Sequence, residues 1–352
     1  MRTSHKLTQV LLSLTALVSL AAVSFGQVPT WGGPAQELNQ IEVSDQKPGS
    51  ILVYPYYNSN AQSKADTRLT LTNLAGTLSL APNPVDMIGA PGSIYVHIFF
   101  LRGSDCQQSD MYVCLTKGAS ISVKASEQDP EVRGYVVAVA VDGNGLPISY
   151  NALIGNAFVT DGANVGNYGA EAFAAVGVNT GRGTTTAVAG AATAALPFNG
   201  GFSADRQTRA FGYDRGADQF AVEIQSPNDA TGQTIVHVSV NGDISSAGVS
   251  GISQAGTGLV IRGDEKQGSF VRFISGGCQS VNTITATAPR VPTGLGIFLP
   301  KGSIGTMVYN TTVASVGVLI TPNTNTWSGI RTLHKTRTVN STLTIPVFMP
   351  VC

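Results

Sequence analysis

The stretch from Tyr135 to Val141 constrains the fold more than any other part of the sequence. It reads YVVAVAV, a short apolar run rich in β-branched residues, which is typical of a strand rather than a helix. Because successive side chains of a strand point to opposite faces, both faces of this strand are apolar. The sequence therefore predicts a central strand that is covered on two sides.

Ile94 to Leu101 predicts a second apolar strand, with Ile94, Val96, Ile98 and Phe100 on one face and Tyr95, His97, Phe99 and Leu101 on the other. Ala119 to Lys124 alternates, which places Ile121 and Val123 inward. We expect these strands to share one sheet. The DGNG sequence at 142–145 predicts a hairpin turn into a further strand, Leu146 to Ile154.

Two earlier segments also have strand character. Ile51 to Tyr57 predicts a strand whose Pro55 requires a sheet edge or a bulge, because proline has no amide hydrogen to donate. Arg68 to Leu74 predicts the next strand. Residues 75–92 hold three prolines and three glycines, and we expect a surface loop there.

Residues 1–26 have the pattern of a secretory signal peptide. Arg2, His5 and Lys6 precede an apolar core from Val10 to Val23, and a small-x-small site ends at Gly26. We therefore expect cleavage after Gly26, a secreted or cell-surface protein, and no transmembrane segment in the mature chain.

Charge excludes one class of partner. Loss of Arg2 and Lys6 from 21 basic residues, with all 21 acidic residues retained, leaves the mature chain near −2. Such a chain has no basic field to attract nucleic acid. Charged residues make up 12% of the sequence, about half the usual share, which fits an extracellular all-β protein rich in turns.

Four cysteines in an exported chain predict two disulfides among Cys106, Cys114, Cys278 and Cys352. Local spacing favours a Cys106–Cys114 bridge, which leaves Cys278 to pair with Cys352. The chain has no CxxC, and its four histidines are scattered, so we predict no metal site and no cofactor.

The composition changes after Ile154, where glycine, alanine, threonine and asparagine dominate residues 155–200. This stretch predicts a linker or a mobile binding loop, with a helical turn or two at Ala170 to Val176. The predicted organisation is a signal peptide (1–26), an extended lead-in (27–49), a first β-sandwich (50–160), a Gly/Ala/Thr-rich linker or loop (161–204) and a second β-sandwich (205–352).

The second half echoes the first. DTRLTLTN from Asp66 corresponds to DQFAVEIQ from Asp218, and IYVHIFF around His97 to TIVHVSV around His237. LTKG at 115–118 corresponds to LPKG at 299–302. This order favours a duplication, whereas the alternative is a chance likeness between two all-β segments. The fold class that follows is all-β, with two tandem Ig-like or jelly-roll-like antiparallel sandwiches after a signal peptide.

No sequence motif marks a catalytic site. If the chain is a glycosidase, its candidate catalytic carboxylates are Asp129, Glu131, Asp142 and Glu171. Asp142, Asn144 and Asp161 offer oxygens for calcium, although hairpin geometry already explains the DGNG turn. His97 and His237 lie in apolar strands without a carboxylate nearby in sequence, and the basic run at Arg331, Lys335 and Arg337 predicts a solvated strand face.

Aromatic residues offer one candidate binding site. The candidate binding residues for a sugar platform are Tyr54, Tyr56, Tyr57 and Trp327, with Trp31 as a further member. Exposed single aromatic residues at strand edges are the alternative interpretation.

Residues 50–175 carry a resemblance to a known group of proteins, in the strings DTRLTLTN, YVHIFF, VCLTKG and GYVVAVAVDGNGLPISYNALIG. The chain resembles uncharacterised secreted bacterial β-rich proteins. The resemblance implies an exported bacterial β-rich protein and brings no activity or site residues with it.

These patterns favour a non-enzymatic secreted or cell-surface protein with a structural, adhesion or ligand-binding role, whose partner is a surface glycan or another extracellular protein. The alternatives are a secreted polysaccharide-acting hydrolase with a site around residues 129–171, and a carbohydrate- or calcium-binding module. The sequence leaves open whether the chain is an enzyme.

Overall fold

The computed structural model describes most of the chain, in residues 47–75, 93–162, 164–176, 190–202, 211–270, 277–284, 294–322 and 328–351. The predicted signal peptide lies outside the described residues, as do most of the lead-in and residues 76–92 of the predicted surface loop. Trp31, Trp327 and Cys352 also lie outside them.

The described elements are almost all strands, so the prediction of an all-β chain is confirmed. The first half contains β1 (Ile51–Asn58), β2 (Asp66–Asn73), β3 (Ile94–Arg102), β4 (Gln108–Leu115), β5 (Ser120–Lys124), β6 (Arg133–Val141), β7 (Leu153–Asp161), β8 (Asn164–Gly169), β9 (Glu171–Phe173), β10 (Ala175–Val176) and β11 (Thr193–Phe198). The second half contains β12 (Gly212–Tyr213), β13 (Gly216–Gln225), β14 (Thr234–Ser239), β15 (Gly242–Asp243), β16 (Gly248–Val249), β17 (Gln254–Arg262), β18 (Gln267–Phe270), β19 (Gln279–Thr283), β20 (Ile304–Thr321), β21 (Gly329–Thr332), β22 (His334–Val339) and β23 (Ser341–Pro346). The helices among the described residues are α1 (Ala125–Gln128) and α2 (Leu295–Phe298), with 3-10 turns at Ala61–Ser63 and Ile244–Ser246.

The strands form several sheets. The central sheet has the order β4-β3-β6-β1-β9, and the outer sheet β5-β2-β7-β8. The long-strand sheet has the order β18-β17-β20-β13-β22, with β14 and β21 also on β20 and β19 on β14. The C-terminal sheet is β11-β23-β15-β16, and β10 pairs with β12. Among the described pairings only β15 with β23 is parallel.

The prediction of a central strand covered on two sides is confirmed by β6. It is the middle strand of the central sheet, and Tyr135 to Val141 are fully buried. Val136 and Ala138 belong to a first core that also contains residues of the outer sheet. Val137 and Val139 belong to a second core that also contains residues of the C-terminal sheet. The central sheet is therefore buried on both faces.

Two pairing predictions are wrong. Ser120–Lys124 does not join the central sheet but pairs with β2 in the outer sheet, with Leu69 opposite Val123. Leu146 to Ile154 does not return as a hairpin strand, because only the isolated bridge between Val141 and Pro147 follows the turn. The next strand begins at Leu153 and pairs with β2 and β8.

The predicted bulge at Pro55 is confirmed, in the interior of the central sheet. The register of β1 against β6 shifts between Tyr54 and Tyr57. The backbone groups released by the shift find side-chain partners elsewhere: Gln279 donates to the Pro55 carbonyl at 2.9 Å, and the Tyr168 hydroxyl accepts from the Tyr56 amide at 3.1 Å. The Pro55 carbonyl and the Tyr56 amide are therefore both hydrogen-bonded despite the bulge.

The region predicted as a linker or loop, residues 161–204, contains β8, β9, β10 and β11. The expected helical turn at Ala170 to Val176 is wrong, because β9 pairs with β1 and β10 with β12. Small residues here allow close packing between layers; Ala170 and Ala172, for example, are buried in the first core. Glycine and alanine richness therefore marks a packed segment at these positions.

The two halves share their cores. The first core contains Val236, Val318 and Ile320 beside residues of the first half, and the second core joins Ile51 and Val53 to Leu343 and other second-half residues. A third core, which includes Phe220, Met307 and Leu319, lies within the second half. The division into two tandem sandwich domains stays a prediction.

The strand pairings bear on the internal repeat in two ways. The histidine strands are alike, because β3 pairs with β6 and β14 pairs with β20 in antiparallel register. The first matched strands differ, because β2 pairs with β5 and β7 whereas β13 pairs with β20 and β22. The duplication remains a hypothesis.

Candidate functional site

The three tyrosines proposed for a sugar platform are buried. Tyr54, Tyr56 and Tyr57 are at most 3% exposed. The Tyr54 hydroxyl donates to the Thr70 carbonyl at 2.7 Å, and burial raises its pKa above the usual range. The platform prediction is corrected for these residues, because a ring that stacks on a sugar must be exposed.

The other two phenols donate to carboxylates. Tyr56 donates to Asp161 Oδ2 at 2.8 Å, and Tyr57 to Asp129 Oδ2 at 2.6 Å. Burial, with a smaller contribution from the bonded carboxylate, raises the pKa of both hydroxyls above the usual range. Both phenols therefore stay neutral donors at physiological pH.

The carboxylates of the hydrolase hypothesis are separated by their surroundings. Asp129 is buried, and its Oδ1 accepts from Arg102 Nε and Nη2 at 3.1 Å each. Asp142 accepts from the amides of Asn144 and Leu146 within its own turn. Glu131, unlike the buried Asp129, is exposed.

The oxygens proposed for calcium also have protein donors. Asp161 Oδ1 accepts from Asn58 Nδ2 at 2.9 Å, and its Oδ2 is bonded by Tyr56. Within the described ranges, no group of three or more His, Cys, Asp or Glu side chains is arranged to hold a metal ion.

Glu171 belongs to a buried group of charges, which we call the charge cluster and define as Lys47, Glu171, Asp214, Lys335 and Arg337. Glu171 accepts from Lys335 at 2.5 Å and from Arg337, and Arg337 also reaches Asp214 at 3.1 Å. Lys47 contacts the same Asp214 oxygen at 2.8 Å. Three positive and two negative side chains thus meet where segments of both halves come together.

The charge cluster is supported by neutral groups. Arg337 donates to the Ala172 carbonyl at 2.8 Å and lies 4.6 Å from the centre of the Phe173 ring. The Ala174 amide donates to Asp214 at 2.6 Å. The prediction of a solvated basic face is wrong for Lys335 and Arg337, which are buried, whereas Arg331 is half exposed.

His97 has a carboxylate partner that the sequence did not suggest. It is fully buried on β3, and its Nε2 lies 2.8 Å from Asp110 Oδ2 on β4. Its ring stacks on Tyr112 with centroids 4.1 Å apart. Its Nδ1 has no hydrogen-bond partner among the described residues. Burial lowers the pKa of His97, and Asp110 opposes that shift.

His237 forms a hydrogen bond with a hydroxyl through its ring. Its Nε2 lies 2.7 Å from the Tyr309 hydroxyl, and the Phe220 ring packs against it at 4.8 Å. Both atoms of this hydrogen bond are buried, so the contact stabilises the long-strand sheet.

The predicted Cys106–Cys114 bridge is wrong. Cys106 is bonded to Cys278, with Cα atoms 5.4 Å apart and 172 positions apart in sequence. Cys114 is also disulfide-bonded, and the remaining cysteine, Cys352, lies outside the described residues. Sequence spacing failed because most of the residues between Cys106 and Cys114 belong to the extended strand β4, which contains Cys114, rather than to a closed loop.

An exposed site that the sequence did not single out lies on the outward face of the outer sheet. Arg68 stands opposite Lys124 on β5 and opposite Phe158 on β7, and Phe158 stands opposite Asn167 on β8. The Arg68 guanidinium lies 4.8 Å from the centre of the Phe158 ring, which is 41% exposed. The alternation of DTRLTLTN is a sequence signal that puts Arg68 on the polar face of its strand, but the neighbours of Arg68 depend on long-range pairing.

A cleft of about 170 Å³ lies near β21 and is lined by Gln225, Thr321, Ser328, Gly329, Ile330 and Arg331. Its volume falls below the range of about 300–1,000 Å³ that is usual for small-molecule sites. Arg331 in this lining already donates to the Glu223 carbonyl.

Comparison with protein-family models, curated proteins and solved structures found no match to this chain. No described helix has the length and apolar character needed to cross a membrane.

Proposed function

We propose that this chain is a non-enzymatic exported protein, secreted or held at the cell surface, with a structural, adhesion or ligand-binding role. The observation that carries the proposal is the state of Asp129 and Glu171. Both carboxylates are buried, and each is bonded to basic side chains. These ion pairs give both carboxylates a structural role within the fold.

A glycosidase uses one carboxylic acid and one carboxylate that face the same sugar. Both groups must therefore be free to contact the substrate. Asp129 is buried and bonded to Arg102, and Glu171 is buried and bonded to Lys335 and Arg337. These contacts oppose the hydrolase alternative.

Export is supported by two independent features. Residues 1–26 have signal-peptide character. The Cys106–Cys278 bridge is of the kind that persists in oxidising compartments and is rare in the cytosol.

In the test, the full chain is expressed in a bacterial host that has a periplasm, and the mass and the cellular location of the product are measured. We expect a mature chain that begins at Gln27 in the exported fraction. A full-length product retained in the cytosol would contradict the proposal.

A second assay separates binding from turnover. The exported protein is incubated with a panel of polysaccharides, and both retention on immobilised glycan and release of reducing ends are measured. We expect no release of reducing ends. Release that disappears in Glu131→Gln, while the unfolding midpoint stays unchanged, would support the hydrolase instead, because Glu131 is exposed and its change does not disturb a core.

A further inference from the structure

The outward face of the outer sheet carries a row of side chains across four strands. Lys124, Arg68, Phe158 and Asn167 stand directly opposite one another on β5, β2, β7 and β8. With strands about 4.8 Å apart, the row spans roughly 14 Å. Such a row presents an extended surface rather than a pocket.

Arg68 holds the position of greatest chemical interest in this row. It is exposed, and its guanidinium is placed against the Phe158 ring. It forms no ion pair with any residue in the described part of the chain. A guanidinium held on an aromatic ring loses less freedom when it binds than a free one does, and its planar fork matches a carboxylate.

The nearby acids are committed to other partners. Asp66 accepts from the Thr67 amide and from the Ser126 amide and hydroxyl, the last at 2.8 Å. Glu127 pairs with Lys124 at 3.4 Å. The donors of Arg68 therefore remain open to an anion from outside the chain.

Neutral hydrogen-bonding groups flank the row. Ser122, Thr70 and Asn156 form the next row along the same strands, and Ser122 and Asn156 are exposed. Hydroxyl and amide groups beside a partly exposed aromatic ring are suited to the hydroxyls and the C–H surface of a sugar.

We propose that this face binds a polysaccharide that carries uronic acid carboxylates, with Arg68 pairing with the carboxylate and Phe158 supporting the guanidinium and the sugar ring. The inference rests on the proposed function of an exported binding protein and gives it a ligand class. Charge complementarity with Arg68 favours an anionic ligand, and the planar fork can pair with a carboxylate through two parallel hydrogen bonds.

The experiment measures binding of the exported full chain to polygalacturonate by isothermal titration calorimetry, with neutral dextran and dextran sulfate as comparison ligands. We expect polygalacturonate to bind and dextran not to bind. Arg68→Gln should weaken polygalacturonate binding by about tenfold or more, since it removes a charged hydrogen-bond partner. Lys301→Gln, which removes an exposed charge from a turn of the second half, should leave the affinity unchanged.

A second variant guards against a folding effect. Phe158→Leu keeps an apolar residue on the strand but removes the ring under Arg68, and we expect an intermediate loss of affinity with an unchanged unfolding midpoint. Equal affinity of wild type and Arg68→Gln for polygalacturonate would overturn the inference. The inference would also be overturned if dextran sulfate bound more tightly than polygalacturonate and if Arg68→Gln and Lys301→Gln weakened that binding equally. That pattern would indicate general attraction between charges.

The two proposals fail in different ways. If the protein is exported, shows no turnover and does not bind polygalacturonate, the proposed ligand class is wrong and the proposed function stands. A protein that is retained in the cytosol, or that cleaves the polymer, overturns the proposed function itself.

Discussion

Glu171 shows how a single buried side chain can join distant parts of this chain. It lies on β9 and contacts Lys335 and Arg337 on β22. Burial of these charges is tolerated only because each has partners of the opposite sign, and removal of one partner leaves a charge without compensation.

We expect Glu171→Gln to lower the free energy of unfolding by about 3–5 kcal/mol, because Lys335 and Arg337 would lose their shared carboxylate in a buried site. Denaturant unfolding followed by fluorescence measures the change. Glu223→Gln is the matched control, because Glu223 pairs with Arg331 at 3.6 Å and both side chains are about half exposed. The control should cost at most about 1 kcal/mol. Equal losses in both variants would contradict a structural role for the charge cluster.

His97 predicts a loss of stability in mild acid. Its folded-state pKa is lowered, first by burial, below the ordinary value of 6.5. The unfolded chain therefore binds the proton more readily, so this contribution is complete above about pH 6.5 and is lost as the pH falls towards the folded-state pKa. Between pH 7 and pH 5 the loss amounts to at most about 2 kcal/mol.

The measurement compares unfolding free energies at pH 7 and pH 5. His97→Phe keeps an aromatic ring between Phe99 and Tyr112 and removes the titration, so its difference between the two pH values should be smaller than that of the wild type. An identical pH dependence in the wild type and in His97→Phe would contradict the assignment.

At the scale of elements, the sequence predicted strands better than their partners. The apolar run of β6 and the proline bulge of β1 follow from local chemistry, and both predictions are confirmed. The pairing of β5 with β2 does not follow, because the alternation of Ser120–Lys124 specifies which face is buried but not which sheet receives it.

The same limit explains the errors at the candidate sites. Lys335 and Arg337 alternate on β22 as a solvated basic face would, and the acids that neutralise them lie more than a hundred residues away in sequence. Tyr54, Tyr56 and Tyr57 have the composition of an exposed aromatic cluster, yet two layers of strands cover both sides of β1. Burial of these residues is a property of long-range packing.

Gly155 tests the close packing of β7 against β1. A Cβ atom at this position would lie 1.9 Å from the Tyr54 hydroxyl oxygen and 2.8 Å from the Thr70 carbonyl oxygen. We expect Gly155→Ala to destabilise the protein by about 1–3 kcal/mol, since the buried hydroxyl would have to leave its hydrogen bond to Thr70. Gly143→Ala is the control, because an added Cβ there meets no atom within 4 Å. Thermal unfolding compares the two, and equal midpoints would contradict the packing argument.

At the scale of the whole molecule, covalent and ionic links connect segments far apart in sequence. Cys106 near the end of β3 is bonded to Cys278 before β19. Gln279, the next residue, donates to the Pro55 and Gly134 carbonyls of the central sheet. The bridge and the hydrogen bonds therefore fasten the same point of the second half to the central sheet.

The disulfide pattern is open to direct measurement. Because Cys106 and Cys278 are joined and Cys114 is also bonded, Cys352 is the one other cysteine in the sequence that can pair with Cys114 within the chain. Phe348 near the C-terminus already accepts a hydrogen bond from Tyr112, two residues before Cys114, at 2.7 Å. Peptide mapping without reduction should link Cys106 to Cys278 and Cys114 to Cys352. A Cys106–Cys114 peptide would contradict the structure, and a reduced and alkylated sample provides the control.

Shared cores predict that the two halves depend on each other for folding. The first core includes Val236 and Val318 of the second half, and the second core places Leu343 with Ile51 of the first. Separation would expose these faces to water at about 25 cal/mol per Å² of apolar surface, and it would also strand the charges of the charge cluster. We therefore expect residues 47–176 and 190–351, expressed separately, to lack cooperative unfolding and to be digested rapidly by protease, whereas co-expression of both should restore a protected complex. A fragment that alone unfolds cooperatively, with a near-ultraviolet circular dichroism spectrum of its own, would instead support the two tandem sandwich domains predicted from sequence, because a shared core does not survive the loss of half its residues.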